Sequence, residues 1–462
     1  MMNRITIMNI LLLAFSQGAT AQTPWTMDRC MAYAAEHATT VQTRRVEMQQ
    51  AETDYRWAKA DFLPQVGAQV SGQYSWGRNI DPETNTYNNV TTFNNYYELY
   101  AQLPVFDGFA TLNGFKRARL ARSNSETALQ QARDEQAIIV MQRFIDAVYA
   151  QKTIALAEEK LADSQQLLHK TQRLFDLGEK SRPDVAQIAA QVAEDQYNLT
   201  HQQNTYQQAM LALKAAMNYL VGDSLALAID LPHTTMPVSD TASSATNFVS
   251  CTATPRVAAS ADALYGEFSL SSPELRLAEN AVSDARYAYR IERAELLPKL
   301  RFTAELATNF YRNITEGGSP SFSSQWSNNR GEYLVLALSI PIFNASSWKS
   351  VKRAKGDIAK AQIALEEKRR KLHDDIQSAI MDRDGYQAEL LQMEHKVEAD
   401  SLASYLSHRK YEEGMLSTFD LHTAAQTLLE SRIKRLQTSL LLVMKQRLVS
   451  YYQGHELYRK KE

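Results

Sequence analysis

One pattern is written twice in this chain. Leu103-Pro104-Val105-Phe106-Asp107 returns as Ile340-Pro341-Ile342-Phe343-Asn344, and Gly178, Ser181 and Asp184 return as Gly414, Ser417 and Asp420. The copies are offset by 237 residues at Pro104 and Pro341, by 236 at Gly178 and Gly414, and by 234 at Pro64 and Pro298. Three landmarks in one order at nearly constant offset mean a duplicated structural unit. Each half holds both very long helical segments and short alternating ones, a combination that few architectures allow.

The helical segments are read from what they lack. From Phe115 to Leu177 there is neither Gly nor Pro, and Ala, Gln, Glu, Lys, Arg and Leu dominate, all good helix formers. Sixty-odd residues at 1.5 Å each make a helix on the order of 90 to 100 Å long, far beyond a globular domain. Ile138, Met141, Ile145 and Val148 recur by threes and fours, the seam spacing of coiled-coil packing. Asp184 to Val221, Asp357 to Glu413 (with Gly385 the one exception) and Met415 to Gln453 are also free of Gly and Pro. Each half thus has one very long helix and one shorter, and Met27 to Ala60 or Ser272 to Glu295 has the length to stack end to end with the shorter one.

Between the helices the period changes to two. Val66, Ala68, Val70, Gly72 and Tyr74 alternate with Gln65, Gly67, Gln69, Ser71 and Gln73. Tyr97, Leu99, Ala101 and Leu103 alternate with Tyr96, Glu98, Tyr100 and Gln102; Leu300, Phe302, Ala304 and Leu306 with Arg301, Thr303 and Glu305; and Leu334, Leu336, Leu338 and Ile340 with Tyr333, Val335, Ala337 and Ser339. Four strands of roughly 9 to 11 residues with one greasy and one wet face suit a membrane barrel. The Asn-, Ser- and Thr-rich stretches 75–95 and 309–331 are expected as exposed hairpin loops.

The expected organisation is a signal peptide at 1–21 and a first repeat at 22–230, with strands about 65–74 and 96–104 and long helices 110–177 and 184–221. A linker at 231–258 leads to a second repeat at 259–462, with strands about 299–308 and 332–340 and long helices 346–413 and 417–453. Arg4, the apolar run from Ile5 to Phe15 and Ala19-Thr20-Ala21 mark the signal peptide. The residue directly after the expected cleavage point is Gln22 and not Cys, so a lipid-anchored mature start is not expected. Cleavage removes Arg4 and no acid, leaving 49 basic against 52 acidic side chains and a net charge of −3, which gives nucleic acid no footing. After the signal no apolar run reaches 18 residues, so any membrane span must be built of strands. Cys30 and Cys251 sit in an exported chain, where a disulfide between them and two separate buried thiols are both admissible.

Four strands cannot close a barrel, because the smallest membrane barrels have about eight, and open edges in lipid leave backbone groups unpaired. The chain is therefore expected to be an oligomer, with 8, 12 or 16 strands for two, three or four copies.

Trp25-Thr26-Met27-Asp28 with Cys30-Met31-Ala32-Tyr33-Ala34, then Phe62-Leu63-Pro64, Leu103-Pro104-Val105-Phe106-Asp107-Gly108 and Phe175-Asp176-Leu177-Gly178-Glu179-Lys180-Ser181 together resemble the outer membrane efflux protein family, the TolC-like outer membrane factors. The likeness runs from about Trp25 to Tyr452. It implies a mixed α and β membrane protein, a homotrimer whose 12-stranded β-barrel in the outer membrane is continuous with a 12-helix periplasmic α-barrel. It also implies passive conduction for an inner-membrane pump through a periplasmic adaptor, with no cofactor.

The two Gly turns read as helix reversals. Gly178 and Gly414 suit the left-handed residue that ends a helix, Ser181 and Ser417 can cap the returning helix, and Asp184 and Asp420 fall where a carboxylate meets the positive helix end. Under threefold symmetry an acid lining a narrow tip appears three times. The resemblance places Asp420 at the family's constriction, puts Thr423 where a second aspartate stands, and matches Tyr411 and Asp184 to a gate-closing hydrogen bond. Leu416 occupies the place of an arginine of that latch. The tips carrying Gly178, Ser181, Gly414 and Ser417 are the expected adaptor-facing surface.

Catalysis has little to stand on. No His pair has the HExxH spacing, and Gly178-Glu179-Lys180-Ser181 lacks the upstream Gly and the strand of a phosphate loop. His373, Asp374 and Asp375 lie on a charged helical stretch. The rival reading is a structural or adhesive coiled-coil envelope protein without a pore, for which the helices alone would suffice.

Overall fold

A computed structural model describes residues 24–80, 85–228, 261–315 and 321–458. The expected signal peptide, Cys251 and the whole of the inter-repeat linker lie outside the described residues. The elements in chain order are α1 (Met27–His37), α2 (Thr39–Ala60), β1 (Gln65–Ile80), β2 (Tyr87–Phe106), α3 (Ala110–Asp176), α4 (Arg182–Met217), α5 (Ala261–Ser271), α6 (Pro273–Ala294), β3 (Lys299–Asn313), α7 (Phe322–Asn328), β4 (Gly331–Ser339), α8 (Ala345–Glu412) and α9 (Thr418–Tyr452). The unbroken runs of helix formers become α3 with 67 residues and α8 with 68. Among the described residues no helix is long and apolar enough to cross a membrane.

The duplicated Pro-x-Phe-Asp/Asn segment has a local explanation in both copies. Asp107 Oδ2 accepts from the backbone N–H of Thr111 at 2.7 Å, and Asn344 Oδ1 accepts from that of Ser346 at 3.0 Å. The short polar side chain satisfies amides left open where each long helix begins. Gly108, at φ 71°, makes the turn in the first copy, where a Cβ would come within 2.9 Å of the Ala294 carbonyl oxygen. That position therefore admits only glycine.

The described residues form two compact units that do not follow the repeat boundaries: those within 1–43, 130–272 and 371–462 contribute to one, and those within 44–129 and 273–370 to the other. Both halves of the sequence supply each unit, because α2, α3 and α8 each contribute a part to both. In the first unit Cys30, Met31, Ala34 and Ala35 of α1 pack with Ala137, Val140, Met141, Phe144 and Val148 of α3, Leu213 and Met217 of α4 and Leu440 of α9. Alanines on the seam let the helix backbones approach closely while Met fills the irregular gaps. Cys30 is fully buried there and has no disulfide partner among the described residues; its pairing with Cys251 falls outside them.

In the second unit the sheet has the order β1-β2-β3-β4, all antiparallel. Its register aligns the two faces across all four strands. Val66, Leu99, Leu306 and Leu334 belong to one apolar face through pairs such as Val66↔Ala101, Leu99↔Leu306 and Ala304↔Leu334. Glu98, Glu305 and Arg301 belong to the other, where Tyr96 donates its hydroxyl to Glu305 at 2.9 Å. The apolar face is largely uncovered: Val66 is 70% exposed, Val70 68%, Leu334 77% and Leu336 64%.

Strand lengths depart from expectation. The strand expected at 65–74 runs to Ile80, that at 96–104 starts at Tyr87, and that at 299–308 runs to Asn313. Of the two stretches expected as loops, 75–95 is thus strand up to Ile80 and again from Tyr87, whereas 309–331 is strand only at 309–313 and at Gly331, with α7 between. Polar composition misleads here because backbone pairing needs no apolar face. Thr, good in strands, pairs across Ser75↔Thr92, while the rings of Tyr74 and Phe93 meet at 4.6 Å and pack the extended hairpin.

Candidate functional site

The duplicated Gly turns fold into matching reversals in the first unit. In the first, the N–H of Gly178 donates to the Phe175 carbonyl at 2.9 Å and that of Glu179 to the Leu174 carbonyl at 2.8 Å. In the second, Gly414 donates to Tyr411 at 3.0 Å and Met415 to Lys410 at 2.9 Å. This is the Schellman closure, and it needs the left-handed backbone that Gly178 (φ 83°) and Gly414 (φ 74°) supply. Returning helices start alike. Ser181 Oγ accepts from the Asp184 N–H at 3.4 Å and donates to Asp184 Oδ2 at 2.6 Å, while the Ser181 N–H also reaches that oxygen at 3.1 Å, completing a capping box. Ser417 accepts from the Asp420 N–H at 3.1 Å and donates to its carboxylate at 2.7 Å. The Ser181 hydroxyl first and its backbone N–H second hold the Asp184 carboxyl below the usual carboxylate range, with Lys180 adding its charge.

The four expected gate residues are not joined into one network. Tyr411 is buried with its hydroxyl 3.4 Å from Thr171 Oγ1 on α3, and its ring lies under Lys180 Nζ at 4.5 Å. Asp184 is bonded to Ser181 instead, so among the described residues Tyr411 and Asp184 share no hydrogen bond. Asp420 and Thr423 are exposed one turn apart on α9, and the Thr423 hydroxyl turns back to the Phe419 carbonyl at 2.9 Å.

Behind the reversals lies a cleft of about 800 Å³ whose lining includes Leu156, Lys160, Asp163, Leu167, His408 and His422. Polar links across it tie α3 and α4 to α8 and α9. Lys170 meets Glu412 at 2.6 Å, Arg432 meets Glu159 at 2.8 Å, Thr418 donates to Gln187 at 2.8 Å, and Lys160 donates to Gln426. Lys160 also lies 3.3 Å from Asp195, whose carboxylate is buried. Burial, then the charge of Lys160, pushes His422 below the usual histidine range. Burial, then Glu159, pushes Asp163 upward.

Sequence reading passed over Lys160, Asp195 and His422. A signal existed for Asp195: Ile188, Asp195 and Leu199 are spaced by seven and four and are all buried, so an acid sits on the apolar seam of α4.

The profile of the outer membrane efflux protein family matches residues 32–219 and 264–447. No curated relative matches the chain. Among solved structures, that of CusC is similar at 18% identity and a TM-score of 0.70, covering 93% of this chain and 92% of that one. The outer membrane protein VceC from Vibrio cholerae is similar at 13% identity and 0.73, covering 93% and 96%. The Campylobacter jejuni CmeC outer membrane channel is similar at 14% and 0.72, covering 94% and 87%.

Proposed function

We propose an outer-membrane conduit role for this chain, which belongs to the outer membrane efflux protein family. Three copies form a 12-stranded barrel in the outer membrane and a 12-helix tunnel in the periplasm. The conduit passes substrates delivered by an inner-membrane pump and a periplasmic adaptor, without catalysis or cofactor. The observation that carries this reading is the sheet: one apolar face runs across all four strands with Val66, Val70, Leu334 and Leu336 uncovered, and among the described residues β1 and β4 each have a strand on one side only. In water such a face and two such edges would invite aggregation; in lipid the face is favourable and the edges must close between copies. A coiled-coil protein without a pore gives that face no task.

The two reversals, with their exposed Leu177 and Met415, are the surface that meets the adaptor, and Asp420, repeated by threefold symmetry, lines the constriction. The decisive measurement is extraction. The chain should leave the outer membrane only in detergent, as a trimer by light scattering, and should open cation-preferring steps in planar bilayers. A freely soluble monomer, or a trimer that carries no current even after its tips are loosened, would end the conduit reading.

A further inference from the structure

β4 has nine residues and β3 fifteen, so past the pair Ala307↔Gly331 no strand among the described residues lies beside β3 on that edge. α7 stands in its place. Gln325, 7% exposed, accepts from the Tyr311 N–H at 2.8 Å and donates to the Tyr311 carbonyl at 2.8 Å, and Asn329 donates to the Asn309 carbonyl at 2.9 Å. Asn309 and Tyr311 are two residues apart, so these backbone groups point to the same edge. Side-chain amides thus do what a neighbouring backbone would do. Thr308 donates to the Trp326 carbonyl at 3.1 Å, and the Trp326 ring meets Tyr97 at 4.9 Å, locking the helix in place.

The far side of α7 is built differently. Ser323 and Ser327 lie about 160 to 200° around the helix from Gln325 and are exposed. The Ser327 hydroxyl bonds within the helix, to the Ser323 and Ser324 carbonyls at 3.2 and 3.3 Å. This face is small and its Ser327 hydroxyl is already satisfied, so another surface can approach closely.

In a ring of copies β4 is followed by β1 of the next chain, and β1 has sixteen residues. With Ser339 set level with Gln65, the nine residues of β4 reach Gln73, and β1 rises above it from Tyr74 to Ile80. A notch one strand wide is left between β3 of one copy and β1 of the next, about 10 Å from strand to strand. A helix 10 to 12 Å across with its side chains enters such a gap only if those on one side are small, as Ser323 and Ser327 are. We infer that α7 fills this notch and docks through Ser323 and Ser327 on β1 of the neighbouring copy around Trp76. The inference rests on the ring of copies proposed above, and its occupant is a second copy of this chain.

Disulfide trapping in outer membranes tests it on the full chain. Ser327→Cys combined in turn with Tyr74→Cys, Trp76→Cys or Arg78→Cys should give covalent dimers and trimers on oxidation, while the single variants report any background from Cys30 and Cys251. Leu338→Cys with Val66→Cys, lower in the wall, reports ring closure alone. Ladders from both sets support the docking. A ladder from the lower pair with none from any α7 pair overturns it and leaves the ring standing; ladders from neither remove the ring as well. Adding Gln325→Ala should cut the α7 yield at least fivefold with the lower pair unchanged, and an unchanged α7 yield would remove Gln325 as the anchor.

Discussion

Nζ of Lys160 lies 3.3 Å from Oδ1 of Asp195, an acid only 2% exposed on the seam of α4. Gln191 donates to the same carboxylate at 2.8 Å and Ser164 donates to its other oxygen. A buried pair of this kind adds little over an apolar pair of equal volume, yet removing one partner strands the other charge. Asp195→Ala should therefore lower unfolding free energy by about 3 kcal/mol, while Lys160→Met with Asp195→Leu should recover most of that loss. Urea unfolding followed by helical dichroism checks it, and a double variant no better than Asp195→Ala would show that the pair does more than neutralise itself.

Asp184 links stability to pH. Its folded carboxyl titrates below the usual range because the Ser181 hydroxyl and N–H bond the charged form. A depressed acid contributes stability above its unfolded value, near pH 4, and loses it as pH falls through the lower folded value. The stability difference between the native chain and Asp184→Asn should thus be present at pH 7 and lost at a pH below the folded value. Ser181→Ala should cost about 1 kcal/mol at pH 7. A difference that does not change between the two pH values would exclude Asp184 as the titrating cap.

Long helices and strand faces were legible because each repeats a period over many residues. The ends of the strands were not, since Ser75↔Thr92 and Arg78↔Asn89 pair polar residues that read as loop. Gly178 and Gly414 could be read because a positive φ leaves few residue choices. Partners of Tyr411 could not, because Thr171 is 240 positions away and only packing brings them together. Neither could the role of Gln325, whose anchoring depends on β4 being six residues shorter than β3.

Cys30 should be a slow thiol. Burial in the α1 core pushes it up to about 12 despite Arg29 next to it, so little thiolate is present at pH 8. Maleimide should label the folded chain slowly at this position and rapidly in guanidinium. Mass spectrometry after labelling in guanidinium without reductant should count two labels per chain, as two separate thiols require. A count of zero until reductant is added would establish the Cys30–Cys251 bond instead.

The tip acids have two ways to act, through the helix cap and through the pore. Tyr411 holds Thr171 and Asp184 holds Ser181, so these bonds fasten separate places. Thr171→Val should raise single-channel conductance as much as Tyr411→Phe, with the double variant no larger than either, because both remove one hydrogen bond. Asp184→Ala should add to either change rather than merge with it. Asp420 differs in being exposed at the start of α9 while still accepting from Ser417. If it lines a threefold constriction, Asp420→Asn should weaken block by multivalent cations several-fold, since three carboxylates in a narrow space attract such ions strongly. Ser417→Ala should cost about 1 kcal/mol of stability and leave block intact. Equal block in the native chain and Asp420→Asn would assign Asp420 to the helix start alone.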